Sequence, residues 1–490
     1  MVGSLGSGPS KSGIPGHRGV VLGPGDGEYE GFRKNYLATF DHIRPRWIAR
    51  CESPEDVSAA VSFARREGLP VSVRSGGHCF AGFSLCEGVV LDLKRLSAVE
   101  IGHGEVDGEE VEGGYVTVGA GAQLGAVTEA LVPLGRALPS GSCPTVGVSG
   151  QTLGGGLGIL GRLHGFTCDQ LVAAQVVLAD ERVVRCCESE EPDLFWALRG
   201  GGMGGFGVVT ELTFRTVPAP PMTSFYLAWP LTAAAEILSL WQEVAPRAPE
   251  ELALGLALTA PPGQASVVEV YGSCIGPEGG ADPWLARIAE VAGSALRDVR
   301  LHGTYRQAML HQAGLLDISG SSVTEITADG ESRQGYRLTR SQLIAEPLPR
   351  SVIEELVEVF DSERQDAHHQ DQYRGLELAP FRGAYGRVPV NATAYFHRDV
   401  DYSLKHAVLL PSECSEEQKR AARRWVDRSW AVADEHGSGG VYPNFPDLAL
   451  AEPQQAYFGL HLPRLREIRG QYDSRETFAF PHAIPLVNES

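Results

Sequence analysis

Residues 141–166 read GSCPTVGVSGQTLGGGLGILGRLHGF. Gly147, Gly150, Gly154, Gly155, Gly156, Gly158 and Gly161 follow closely on Cys143. Glycines let the backbone turn left-handed and bring main-chain N–H groups close to a planar ligand or a pyrophosphate. A plain linker would be polar and low in complexity. Here Val146, Val148, Leu153, Leu157, Ile159 and Leu160 interleave with the glycines, so the stretch reads as a packed ligand-binding segment.

A second stretch lies upstream. Residues 71–82 read VSVRSGGHCFAG. The β-branched run with Val71 and Val73 stops at Gly76-Gly77, and His78 follows at the tip of the turn. Further out stand DLFWALRGGG at 193–202, FGVVTELTF at 206–214 and YFGLHLPRLREIRGQYDSRETF at 457–478.

Taken together, these stretches resemble the berberine-bridge-enzyme-like oxidases of the vanillyl-alcohol-oxidase (PCMH) flavoprotein superfamily. In that family the RSGGH histidine is bonded to the flavin 8α-methyl and the GxCxxVG cysteine to C6. The resemblance therefore implies FAD bound covalently through His78 and Cys143. It also implies cofactor contacts from Arg74, Ser75, Gly76, Gly77 and Gly82, from Val146, Gly147, Gly150, Gly154, Gly155 and Gly158, from Gly207, Val208 and Val209, and from Tyr442 and Asn444. Asp169-Gln170-Leu171 stands where the family usually has Asp-Asn-Leu. Val146 occupies the family's gatekeeper place, where valine goes with oxygen reactivity. That implies an oxidase returning electrons to O₂ and releasing H₂O₂.

The implied fold class is α+β: a PCMH-type FAD-binding domain of two α+β subdomains, plus a substrate domain with an antiparallel sheet covered by helices. The expected division is 1–218 for the first part of the FAD domain, 219–440 for the substrate domain, and 441–490 returning to the FAD domain. The Pro218–Pro221 cluster marks the first boundary. No GxGxxG follows a first strand, which disfavours a Rossmann dinucleotide domain.

A chain of 490 residues is too long for one ordinary core, and its 43% apolar and 21% charged content is that of a soluble globular protein. A formal charge of −19 argues against nucleic acid or an anionic membrane as partner. No apolar run spans a bilayer. Residues 1–21 have scattered Gly, Ser and Pro and no apolar signal region, so they read as the leader of a cytoplasmic protein, flexible or, as the alternative, packed over a neighbouring site. Without a secretory signal, the nine cysteines predict no disulfide framework, and no ligand spacing predicts a metal site.

Local patterns place a helix N-terminus at Ser53-Pro54-Glu55-Asp56 with the helix running over 56–68 and stopping at Gly68, and strands at 45–50, 89–93 and 116–118. An acidic hairpin or loop is expected at 102–114. Strands are expected at 391–397 and 402–410, and a long helix over roughly 415–437.

The flavin carries the hydride chemistry, and the protein supplies the base. Family alcohol and sugar oxidases often end in Tyr-x-Asn-Tyr, whose last tyrosine takes the proton. This chain has Tyr442-Pro443-Asn444-Phe445, and Leu157 replaces the tyrosine of GGGYG. Phenylalanine accepts no proton. Glu377, in QYRGLELAPFRGAYG, is the first substitute, with Tyr442, Tyr402 and His406 next. Tyr402 and His406 share one face of their strand. The expected function is oxidation of an alcohol or sugar carbon in a small molecule or biosynthetic intermediate. An oxidative cyclase and a flavin-binding protein without turnover are the rivals.

Overall fold

In the computed structural model, which describes residues 13–202, 205–315 and 333–486, three large sheets and a two-stranded ribbon of Arg136–Ala137 with Val217–Pro218 carry the chain. The first begins where sequence patterning placed it. Strands Trp47–Arg50 and Val71–Arg74 both run parallel to Val89–Asp92, and Val21–Leu22 pairs antiparallel at the edge. The crossover helix Pro54–Glu67 starts on the Ser53 hydroxyl, which accepts the Asp56 N–H, and ends at left-handed Gly68. Its buried face is Val57, Ala60, Val61 and Ala64.

The second sheet is antiparallel, in the order Val99–Val106, Glu109–Gly119, Val208–Arg215, Leu171–Val177, Val183–Cys187. The acidic insert is the tip of its first hairpin. The third sheet, seven antiparallel strands among the described residues, runs Arg297–Gly303, Met222–Pro230, Val267–Ile275, Leu252–Ala260, Tyr373–Pro380, Tyr402–Leu410, Tyr336–Ile344. One of its faces packs Leu256, Leu258, Val270, Leu376, Leu378, Tyr402, Leu404 and Val408 into a core with Trp241, Ile353, Phe360 and Trp425 from the covering helices. The α+β reading of the sequence holds.

The chain end does not join that core. Val441, Phe458, Leu465, Ile468, Phe478 and Ile484 pack with Val89, Val116 and Phe214, in the core of the first two sheets. No helix among the described residues is long and apolar enough to cross a membrane. None of the nine cysteines forms a disulfide.

Two expectations are corrected. Residues 1–12 of the leader lie outside the described residues, but beyond them Ile14 is buried in the core and the Arg18 N–H donates to Asp56 Oδ1. Residues 391–397 do not form a strand. Their amides are already used: Ala394 N–H donates to the Trp196 carbonyl and Tyr395 N–H to that of Arg199, docking the segment on the helix Pro192–Leu198.

Nearby, Arg398 reaches both carboxylate oxygens of Asp169, at 2.7 and 2.9 Å, and both side chains are buried. Removing one partner of a buried pair leaves the other uncompensated. Asp169→Ala is expected to lower unfolding stability by about 3–5 kcal/mol. Asp298→Ala, which opens the exposed pair with Arg300, is expected to cost less than about 1 kcal/mol. Denaturant unfolding of both variants checks the contrast.

Candidate active site

The two glycine motifs meet backbone to backbone. A Cβ on Gly147 would fall on the Ser75 side chain and the Gly76 amide, and one on Gly76 would fall on the Gly147 amide. Ser75 Oγ fixes its own loop by donating to the Ala120 carbonyl at 2.7 Å. This contact brings His78 and Cys143 around one hydroxyl. Thr145 Oγ lies 3.0 Å from His78 Nε2 and 3.8 Å from Cys143 Sγ. The imidazole stacks on Tyr36 with centroids 4.0 Å apart and planes at 18°. Burial, assisted by Lys94 and Arg337, pushes the imidazole pKa down to about 4, so the ring is neutral at pH 7.

The other predicted cofactor residues divide by role. Arg74 is committed to Asp92 at 2.9 Å. Val208 and Val209 bury their side chains in the core, leaving only backbone to offer a ligand. Gly82 packs on Phe40, Gly154 on the Asn444 amide, Gly158 on the Ser140 carbonyl and Gly207 on Val176. Gly77 and Gly155 take positive φ. Gly150 differs: a Cβ there would meet no protein atom, so the helix Val148–Leu153 presents bare backbone on that side. Val146 packs against the core, and its carbonyl accepts the Leu124 N–H.

The second wall is the uncovered face of the seven-stranded sheet. Register places Glu269, Ala257, Glu377, Lys405 and Ser341 in one row across five strands, and the pleat points the row away from the covering helices. Lys405 Nζ lies 2.5 Å from Glu377 Oε2. Burial would raise the Glu377 pKa, but Lys405 and Arg337 outweigh it and hold the carboxyl below its ordinary value. Burial lowers the Lys405 pKa. Lys405 also lies 4.8 Å from the centre of the Phe445 ring, which is stacked 5.9 Å from Phe80. Arg337 covers Phe80 at 4.3 Å. Along the row, Tyr226 and Thr259 hydroxyls each donate to Glu269 Oε1 at 2.7 Å.

The pleat corrects two candidate bases. Tyr402 and His406 do share a face, but it is the helix-covered one. Tyr402 donates to Gln242 at 3.0 Å and packs on Trp241. His406 Nδ1 lies 2.9 Å from Ser429 Oγ, and burial pushes its pKa down to about 3. Tyr442 is buried against the glycine loop: its oxygen accepts N–H bonds from Gly156, Leu157 and Asn444 at 2.9, 3.1 and 3.0 Å, which favour its ionised form, but burial outweighs them and raises its pKa. It props the glycine loop from below. Sequence reading missed Lys405, although it sits one residue from His406. A single lysine inside the apolar strand YSLKHAVLL signals a buried partner.

Comparison with known proteins places this geometry. A family model described as an FAD binding domain matches residues 45–187, and one described as berberine and berberine like matches 441–485. The chain is 30% identical to the xylooligosaccharide oxidase of Thermothelomyces thermophilus over 90% of this chain and 87% of that protein. The chain belongs to the berberine-bridge-enzyme-like FAD-linked oxidoreductases. An uncharacterised FAD-linked oxidoreductase of Bacillus subtilis is 28% identical over 96% and 98% of the two chains. The solved glucooligosaccharide oxidase of Acremonium strictum, described with a 6-S-cysteinyl, 8α-N1-histidyl FAD, superposes with a TM-score of 0.82 at 26% identity, covering 95% and 96% of the chains.

The residues present fit a berberine-type FAD: a neutral imidazole and a thiol at one end, bare glycine backbone at Gly150, and a polar sheet face opposite. In such an enzyme the Glu377 charge is set by Lys405. Lys405→Met removes the main lowering influence and leaves burial to raise the Glu377 pKa. The acidic limb of any flavin-reduction rate that depends on the Glu377 carboxylate is expected to move to higher pH. A stopped-flow pH profile of the variant measures the shift.

Proposed function

We propose that this protein is an FAD oxidase with flavin tethered to His78 and Cys143, taking hydride from an alcohol or sugar carbon of a small molecule or natural-product intermediate and passing the electrons to O₂ to give H₂O₂. The observation that carries the tether assignment is the Thr145 hydroxyl, 3.0 Å from His78 Nε2 and 3.8 Å from Cys143 Sγ. When bound, FAD would accept hydride and return electrons to O₂. The chain supplies the rest. Glu377, ionised by its pairing with Lys405, takes the hydroxyl proton. Phe80 and Phe445 form an apolar wall beside it. Glu269, Tyr226 and Thr259 offer hydrogen bonds to a hydroxyl-rich substrate, which agrees with the oligosaccharides named for two of the relatives. We infer the division into 1–218 with 441–490 as the FAD unit and 219–440 as the substrate unit.

Phe445 favours one second reading. Without a phenol beside the carboxylate, hydride abstraction could instead generate an electrophile that an internal nucleophile closes on, as in an oxidative cyclase. Anaerobic mixing with simple sugars and with polycyclic or glycosylated intermediates separates the readings: sugar bleaching of the flavin supports the oxidase, and a ring-closed product the cyclase.

Two variants test the assignments. Glu377→Gln is expected to slow anaerobic flavin reduction by about 10²–10⁴-fold, and a near-wild-type rate removes it as base. Val146→Leu is expected to slow reoxidation by O₂ while leaving anaerobic reduction intact. Equal loss in both half-reactions would assign Val146 to packing alone. Rapid-mixing absorbance records each.

A further inference from the structure

We infer that Thr145 is the positioning residue for the tethers: its hydroxyl oxygen accepts the Nε2 proton of His78 and so leaves the Nδ1 lone pair to bond the flavin. This rests on the bicovalent reading above. An imidazole has one proton for two nitrogens, and the partner of one nitrogen decides the state of the other. Thr145 engages Nε2 at 3.0 Å, while Nδ1 makes no hydrogen bond among the described residues. Stacking on Tyr36 fixes the ring plane. The hydroxyl itself is held on a built support. The Gln123 amide donates to the Thr145 carbonyl at 3.0 Å, the Leu124 N–H holds the Val146 carbonyl at 3.0 Å, and the Gly76–Gly147 contact closes the turn. Thr145 is 8% exposed. Its oxygen also stands 3.8 Å from Cys143 Sγ, so one hydroxyl touches both proposed tether residues.

The step balances as follows. Nδ1 forms a bond to the 8α carbon, that carbon loses one C–H proton, and Nε2 releases its proton toward the Thr145 oxygen. The electron pair gained by the flavin, with the two protons, reduces O₂ to H₂O₂. The reverse hydrogen bond, from Thr145 O–H into Nε2, would place the proton on Nδ1 and block it. Direction therefore matters, and loss of the hydroxyl reports it.

The test follows covalent attachment rather than turnover. Thr145→Val, Thr145→Ala and Thr145→Ser are made in riboflavin-limited cells, mixed with FAD in air, and sampled over time. Acid-precipitated protein is scored for flavin mass at the His78 and Cys143 peptides, and circular dichroism confirms folding. Attachment at His78 is expected to slow by about tenfold or more in the valine variant, the loss of one hydrogen bond, and to recover in serine. Alanine gives the same reading if valine does not fold. Wild-type attachment at His78 in valine or alanine, faster attachment, or loss in serine as well would overturn the inference while the double tether stands. A wild type with no flavin on the His78 peptide would overturn the bicovalent reading and this inference with it.

Discussion

No side chain fits between Gly76 and Gly147, and much of the site follows from that. The strand Val71–Arg74 and the turn before the helix Val148–Leu153 lie far apart in the chain, yet their loops close on each other at Gly76 and Gly147, with the Ser75 side chain packed against Gly147. Any Cβ at either glycine would push the loops apart, and with them His78 and Cys143. Two atoms meant for one edge of a planar ring must be held within a few tenths of an ångström to act together. Backbone contact gives that precision because it has no rotamers.

The opposite wall solves a different problem. Partial burial of a carboxylate disfavours its charge. Lys405, directly across the strand pair, keeps Glu377 ionised, and burial in turn draws the Lys405 pKa down. Phe445 closes the Tyr442-Pro443-Asn444-Phe445 run, and its ring faces the same ammonium. In the oxidase reading proposed above, the proton-accepting role falls to Glu377, held ionised by its lysine neighbour.

Much of this was legible before any coordinates. The glycine spacing around Cys143 read as a packed ligand-binding segment and the family resemblance supplied the flavin, while Ser53, Pro54 and Gly68 bounded the helix Pro54–Glu67 because caps are local chemistry. The α+β class followed from the family resemblance, and the strand at 402–410 read directly from patterning. What failed did so for non-local reasons. Residues 391–397 look like a strand, but their amides bond to a helix nearly two hundred positions earlier in the chain (about residue 196). Tyr402 and His406 share a face, yet sequence cannot say which face helices cover. Lys405 was hidden by the same ambiguity, because register with Glu377 is a property of the sheet. Thr145 was passed over as the middle of a motif, and only the fold brings its hydroxyl to His78.

The most direct measurement of the account is the intact mass of the purified, acid-denatured protein, followed by proteolysis and fragment sequencing. The account predicts one FAD retained per chain and a single flavin joining the peptide that contains His78 to the peptide that contains Cys143. A protein of unmodified mass, with all its flavin released into the supernatant, would contradict it.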